Sequence, residues 1–386
     1  MPPPPAAPPC PGISVVVPAH GRATQVRRLL AALSAARARY PGPSEVLVID
    51  SSRGPDAAAI RAACAELGGA VHPGPPAAGG KRNAGIRLAR HPVVLFVDSD
   101  CVPDPDLLRE HGTLHAQGCL GVAGVLGLTE LSGPDSFAAR VLEAAGSFTA
   151  AFGFARWRAE VPWGTCTNLS VRRDVLREVG GFDESMPGRL YGEDVDLGLR
   201  ITGRGHRLVT RPGARVGHPR APGAGYAATL LRALRTGRAD VALGRRHPAR
   251  LVPEFPGLLT LGLLIALLGG FRALATHCTA ALLVAPLWLV LAVLADAAGR
   301  AALAGRRGVG ALALFLAVVG LECGFEAGKL AAALARGDLR RAATKFVYLP
   351  EQLVAERPRR AVQQWAVLLA GVAAAAIQPL LERACR

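Results

Sequence analysis

Val93-Val94-Leu95-Phe96-Val97 is an apolar run of strand length with no polar alternation, and Asp98-Ser99-Asp100 ends it abruptly. A run rich in β-branched residues and apolar on both sides of the pleat belongs in a sheet covered on both faces. Open sheets of that kind bind ligands at the carboxyl ends of their strands. Two carboxylates one residue apart at such an edge are hard oxygen donors suited to Mg2+ or Mn2+, and such an ion commonly brings a phosphate. Asp-x-Asp alone equally fits a solvated turn, so its weight comes from the rest of the chain.

The flanking sequence carries the matching alternation. Ile13 to Val17 reads as a first buried strand ending at Pro18, with His20-Gly21 at the turn. Arg22 to Arg39 follows with Val26, Leu29, Leu30 and Leu33 on one helical face and arginines on the other. Glu45 to Ile49 is a second strand, and Asp50-Ser51-Ser52 leaves its carboxyl end. Ala57 to Leu67 is helical, Ala70 to His72 a short strand, and Gly79 to Arg90 a glycine-rich lead into a helix. After the Asp-x-Asp strand come a helix over Asp104 to Gln117 and a glycine-loosened strand over Leu120 to Leu128. The expected fold class is therefore α/β, a mostly parallel sheet with helices on its faces.

The middle is less regular. A helix is expected over Ser136 to Thr149, a loop over Trp157 to Asn168, and a helix over Arg173 to Val179 closed by Gly180-Gly181. A mobile stretch is expected at Pro187-Gly188, then a helix opening at Gly192-Glu193-Asp194-Val195-Asp196. His206 to Thr210 and Ala214 to Val216 read as two short strands, followed by Gly217-His218.

The last third differs in kind. Hydrophobic residues make up 51% of the 386, most of the excess lying after Phe255. The runs Gly257–Phe271, Cys278–Ala295, Val309–Leu321 and Ala361–Leu381 are nearly uncharged. A spanning helix needs about 20 apolar residues, so three or four spans are expected. Arg272, Glu322, Glu326 and Lys329 bound or interrupt them, and a charge at a helix centre costs about 2.5–3.5 kcal/mol on insertion scales. Arg336 to Arg360, basic with Phe346, Val347 and Leu349 interspersed, reads as interfacial. The expected division is a disordered Pro-rich lead at 1–12, an α/β domain at 13–218, a basic juxtamembrane segment at 219–256 and membrane or interfacial helices at 257–386.

The net charge of +16 is almost wholly arginine, since lysine occurs only at Lys81, Lys329 and Lys345. It points to an anionic membrane surface and anionic ligands. Nucleic acid is not expected as a partner, because no basic run is interleaved with aromatics. The cysteines, Cys10, Cys64, Cys101, Cys119, Cys166, Cys278, Cys323 and Cys385, include no C-x-x-C pair. Neither a zinc site nor a disulfide framework is expected, which fits a reducing compartment. The first residues have no basic segment followed by an apolar core, so a signal peptide is not expected there.

In order, SVVVPAHGR, VLVIDSS, GGKRNAGIRLAR, VLFVDSD, GGFDE and YGEDVDLGLR resemble the family 2 glycosyltransferases of the GT-A fold, over roughly Ile13 to Pro219. The span from YGEDVDLGLR to LGRRHPARLVPEF with the apolar tail is also similar to the mycofactocin glycosyltransferases. The family resemblance implies a nucleotide-diphosphate sugar donor, a divalent cation (Mg2+ or Mn2+) and inversion at the anomeric carbon. It implies that Asp50 accepts from the nucleotide base, with Pro18 and His20 lining that pocket and Arg82 and Asn83 near the donor. Asp98 and Asp100 would face ribose and metal, and His218 would complete the metal shell. Asp194 is expected as the catalytic base, with Glu193 beside it orienting either the acceptor or Asp194.

That chemistry asks for these residue types. A diphosphate leaving group builds negative charge that a cation neutralises, and an acceptor hydroxyl needs a carboxylate to take its proton. Each residue also has a plainer reading: Asp50 as a turn cap, Glu193 and Asp194 as first-turn acids, Arg82 as a surface residue, Trp163 as a core residue rather than a sugar platform. The chain lacks the Gln-x-x-Arg-Trp of processive synthases after the acid pair, so transfer of one or a few sugars is expected. Asp-Ser-Ser at the second strand, where many members carry a further acid, leaves base preference open. The expected protein is a multi-pass cell-membrane enzyme with its catalytic domain in the cytoplasm, acting on a lipid, peptide or glycan acceptor. The alternatives are a nucleotidyltransferase on a similar sheet and a non-catalytic membrane scaffold.

Overall fold

The structure, a computed structural model, describes residues 10–118, 121–146, 150–186, 192–220, 225–277, 279–351 and 356–383. Residues 1–9 of the Pro-rich lead, Leu120, Thr149, Pro187-Gly188, Tyr191, Cys119, Cys278 and Cys385 lie outside them. The chain divides into two units, Met1–Pro134 with Phe148–Pro222, and Asp135–Ser147 with Gly223–Arg386.

The first unit alternates β1 (Ile13–Ala19), α1 (Ala23–Ala38), β2 (Ser44–Asp50), α2 (Gly54–Leu67), β3 (Ala70–Pro73), α3 (Ala78–Leu88) and β4 (Val93–Phe96). It continues with β5 (Val102–Pro103), α4 (Leu107–Ala116) and β6 (Val122–Ser132). The order of strands is β3-β2-β1-β4 in parallel, which fits the expected α/β class. The core forms where Leu29, Leu30 and Leu33 of α1 meet Val15, Val17 and Leu95 of the sheet, all at 1% exposure or less. The opposite face of β1 carries α3, seated so closely that a Cβ on Gly85 would lie 2.3 Å from Val16 Cγ1. Only glycine allows that approach.

Beyond β4 the sheet departs from the mostly parallel expectation. After α6 (Phe154–Trp157) and the short β7 (Glu160–Val161), β8 (Leu169–Arg172) inserts between β4 and β6, antiparallel to both. An antiparallel neighbour needs no helical crossover, so the irregular middle of the chain reaches this place directly. After α7 (Arg173–Glu178) and α8 (Glu193–Thr202), one strand, β9 (Arg207–Pro219), replaces the two short strands expected. It runs parallel to β6 with a register shift opposite Gly127 and Leu128. A bulge there absorbs Pro212-Gly213, which in sequence looks like a break. Pairing of β5 with β9, Val102 against Gly217, brings the two chain segments at the sheet's edge side by side.

The second unit is helical: α5 (Phe137–Ala145), α9 (Tyr226–Arg246), α10 (Leu258–Thr276), α11 (Val284–Leu303), α12 (Val309–Leu334) and α13 (Arg357–Arg383). A small ribbon joins β10 (Leu251–Pro253) to β11 (Thr344–Phe346). The Arg-rich stretch after Gly225 is thus one continuous helix, α9. It presses on α12 backbone to backbone, a Cβ on Gly237 falling 1.9 Å from the Phe325 carbonyl oxygen. Among the described residues, four helices are long and apolar enough to cross a membrane, Leu258–Ala275, Thr279–Leu303, Val309–Leu334 and Arg357–Gln378. The α10 side chains Leu267, Phe271 and Leu274 are more than two-thirds exposed, an apolar face suited to lipid.

Charges in these helices are compensated inside the unit. Arg300 pairs with Asp296 at 3.0 Å and with both oxygens of Glu322 at 2.7 Å. Lys329 meets Glu254 at 3.2 Å, and Glu326 accepts from the amides of Leu259 and Thr260 at the start of α10. Within the segment expected to be interfacial, Phe346, Val347 and Leu349 are buried and Arg341 is held by Asp240, while Leu339 is exposed.

Candidate active site

The carboxyl ends of β1, β2 and β4 lie side by side, because Ala19 is in register with Asp50 and Val16 with Phe96. Asp50 is nearly buried and accepts from the Ser52 amide at 2.9 Å and from the Ser52 hydroxyl. Ser52 in turn accepts from the Gly21 amide at 2.7 Å, and His20 stands against Ser51 at 3.2 Å. The first turn is therefore pinned to the second strand's end, with Pro18 partly buried and His20 exposed beside it.

Arg82 is the centre of a second group. Its guanidinium, 6% exposed, donates to Asp98 Oδ1 and to Glu193 Oε1, each at 2.9 Å. The Phe182 ring covers it, 5.5 Å from guanidinium to centroid, a cation–π contact in a dry setting. Arg82 and Glu193 are 111 positions apart in the sequence, and α3 and α8 are what bring them together. Gly192 starts α8 at φ 118°, turning Glu193 and Asp194 into its first turn. The far side of α8 is anchored by Arg200, which binds Asp196 at 2.8 Å and the carbonyls of Val179 and Gly181 at 2.7 Å.

Asp194 follows Glu193 and accepts from the Val195 amide at 2.9 Å. Burial, and then the Glu193 charge, push its carboxyl up to about 7, while Arg82 pulls the other way. A carboxylate that exchanges protons near neutrality is suited to general-base work. Asn83 has its amide committed elsewhere: it donates to the Phe182 carbonyl and to Glu184, and accepts from the Phe182 amide, each at 2.8 Å. It holds the GGFDE turn on α3.

Asp100 and His218 form a third group. Asp100 Oδ1 lies 3.6 Å from His218 Nε2, both side chains less than 15% exposed. His218 Nδ1 is 2.9 Å from the Pro219 carbonyl oxygen, which can only accept. Nδ1 thus carries the ring proton, and in the neutral ring Nε2 presents a lone pair to a carboxylate. Two electron-rich atoms facing each other fit a cation between them, and one O and one N donor, with waters and phosphate, suit Mg2+ or Mn2+. Cys101 lies in the same cluster, but its thiol is fully buried and burial raises its pKa well above the ordinary value, which disfavours the thiolate. Asp98, expected beside Asp100 facing ribose and metal, is engaged by Arg82 through Oδ1. Phe152 stacks on the His218 ring at 5.4 Å.

Several residues around these groups carried no signal in the sequence. Arg22 donates to Asp100 Oδ2 at 2.9 Å. Lys81 is buried, and burial lowers its pKa while Asp50 opposes the shift. His111 and His115 share the Ser170 hydroxyl at 2.8 and 2.9 Å, and burial lowers them to about 4 and about 3. Both are neutral parts of the fold. Trp163 is 6% exposed, edge-on to Phe154 and pressed on Gly198, a core residue rather than a sugar platform.

The family described as Glycosyltransferase like family 2 matches residues 9–238. Among curated proteins, the O-antigen biosynthesis protein RfbC of Myxococcus xanthus is 29% identical over an alignment of 228 residues that covers 54% of this chain. The match spans only 17% of that protein's length. Among solved structures, the mannosyltransferase PcManGT from Pyrobaculum calidifontis, in complex with GDP-Man and Mn2+, is 19% identical with a TM-score of 0.44, over 94% of this chain and 86% of that one. TarS of S. aureus is 17% identical with a TM-score of 0.41, over 58% of this chain and 39% of the other.

Proposed function

This chain belongs to the glycosyltransferase family 2-like proteins, and from that premise we propose that it moves a sugar from a nucleotide-diphosphate donor to an acceptor hydroxyl with inversion, one or a few sugars at a time. The observation that carries the reading is Arg82 gripping Asp98 and Glu193 at once, with Asp194 beside them at a pKa of about 7. Carboxylates from two distant parts of the chain would then border one cleft.

Asp50 and the His20 turn are assigned to the nucleotide, with Pro18 beside them. Arg82 and Asn83 hold the donor side of the cleft, Arg82 by charge and Asn83 by fixing the Phe182 turn. Asp98 accepts from the ribose. Asp98, Asp100 and His218 would hold a divalent cation, which when bound neutralises charge on the diphosphate leaving group. Asp194 takes the acceptor's proton as the new bond forms, and Glu193, fixed by Arg82, orients it. One base and direct displacement give inversion. The four apolar helices anchor the protein in the membrane, with the catalytic unit on the cytoplasmic side, where nucleotide sugars are found and where Arg-rich flanks favour placement. The acceptor is a lipid, peptide or glycan.

The test is a panel of nucleotide sugars with Mn2+ and purified protein, scored for nucleoside diphosphate release. Release that disappears in Asp194→Asn, with donor binding retained, supports the reading. Pyrophosphate release in its place identifies a nucleotidyltransferase, and absence of nucleotide binding across the panel rejects the enzyme reading.

A further inference from the structure

Each acid of the Asp98-Ser99-Asp100 motif has its own arginine, and the two arginines are unlike. Arg82 is buried, doubly paired and capped by Phe182. Arg22 is 51% exposed and reaches Asp100 Oδ2 by a single contact of 2.9 Å. Its backbone is left-handed, φ 59° and ψ 43°, which side-chain-bearing residues rarely adopt. Such a conformation persists only where surroundings over-determine it. Here the preceding residue, Gly21, is tied through Ser52 to Asp50, so the turn that frames Asp50 also aims Arg22 at Asp100.

We propose that Arg22 is a displaceable counter-ion: it occupies Asp100 when no divalent cation is bound, and moves to the donor's diphosphate when one is. The proposal rests on the function argued above. A cation held by Asp100 and His218 would add positive charge next to the guanidinium and weaken the Arg22–Asp100 pair. An exposed pair with one contact is weak enough to give way. The freed guanidinium is a planar fork matched to phosphate oxygens, and it swings from the same turn that borders Asp50. Arg22 thereby opposes the cation when alone and joins it when a diphosphate is present. Cation and nucleotide then bind more tightly together than apart, and by linkage each strengthens the other equally.

The test titrates full-length protein with Mn2+ by electron paramagnetic resonance, alone and with saturating UDP, GDP or dTDP. Wild type is expected to bind Mn2+ about 10-fold tighter with the matching nucleotide. Arg22→Ala, and Arg22→Gly which accepts the positive φ without strain, should bind Mn2+ alone about 2- to 5-fold tighter than wild type, and lose most of the nucleotide's effect. A merely structural role for Arg22 would weaken both titrations. Unchanged Mn2+ affinity without nucleotide, or undiminished coupling, overturns the proposal. If wild type binds Mn2+ and nucleotide but the variants match it, this inference alone falls. If wild type binds neither, the glycosyl-transfer reading falls with it.

Discussion

His218 Nε2 faces Asp100 Oδ1 across 3.6 Å while its other ring nitrogen is turned to the Pro219 carbonyl. Fixing the tautomer from behind leaves the forward nitrogen free to ligate. His218→Ala removes that donor and leaves the fold's ladders untouched. Mn2+ affinity in the presence of nucleotide should fall about 10-fold or more, read by the same resonance titration, and chelation by EDTA should abolish product formation in wild type. A variant with wild-type Mn2+ affinity removes His218 from the metal shell.

Arg82 carries a different burden. It offsets Asp98 and Glu193 directly, and its charge opposes the rise of the Asp194 pKa. Arg82→Ala leaves these acids without a counter-charge in a poorly solvated place. Breaking a buried pair in this way costs about 3 kcal/mol or more, measurable as a lower urea midpoint. Turnover should be lost as well. Arg82→Lys keeps the charge but not the fork, so it should recover part of the stability and little of the rate.

The Asp194 carboxyl sits at about 7, raised chiefly by burial. As a base it must be ionised, so the rate should climb with pH and level off above about 7. Stability moves the other way. The folded state holds the proton more tightly than the unfolded chain, so the stabilisation is full below about pH 4, the unfolded value, and is lost as pH rises to about 7. Asp194→Asn cannot ionise. Its melting temperature should exceed that of wild type by a margin that opens between those two pH values and stays constant above them. An equal margin at all pH values would show that Asp194 titrates normally.

The parallel half of the sheet was legible because Ile13 to Val17, Glu45 to Ile49 and Val93 to Val97 are apolar on both sides and each ends in turn chemistry. The place of β8 was not, since nothing local in Leu169–Arg172 says which strands it will lie between. Pro212-Gly213 looked like a chain break because a bulge on β9 is defined by its partner, Gly127, not by its own residues. Arg22 and Arg82 illustrate the same limit within the site. Both are arginines near a helix start in sequence, yet one is buried against two acids and the other reaches a third from solvent. That difference is made by contacts more than fifteen and more than seventy positions away. The apolar runs near 20 residues foretold long helices, but the partners of Glu322, Glu326 and Lys329 depend on helix pairing that no hydropathy pattern encodes.

Arg300 offers the sharpest test of that pairing. Its guanidinium binds Asp296 one helical turn back and both oxygens of Glu322 on α12, while Asp296 is fully buried with Oδ2 lacking a hydrogen-bond partner among the described residues. Arg300→Met strands two carboxylates between α11 and α12, at a cost of about 3–5 kcal/mol. The triple change Arg300→Met, Asp296→Leu and Glu322→Gln removes the charges together and should recover most of that loss, because no buried carboxylate is then left without its counter-charge. Trp288, 2% exposed on the same helix, reports melting by its fluorescence in detergent. The expected order of midpoints is wild type close to the triple variant, with Arg300→Met well below both. If Arg300→Met melts with wild type, the ion pairs contribute nothing to holding α11 against α12. If the triple variant melts as low as the single one, the network's worth lies in its hydrogen bonds and shape rather than in charge compensation.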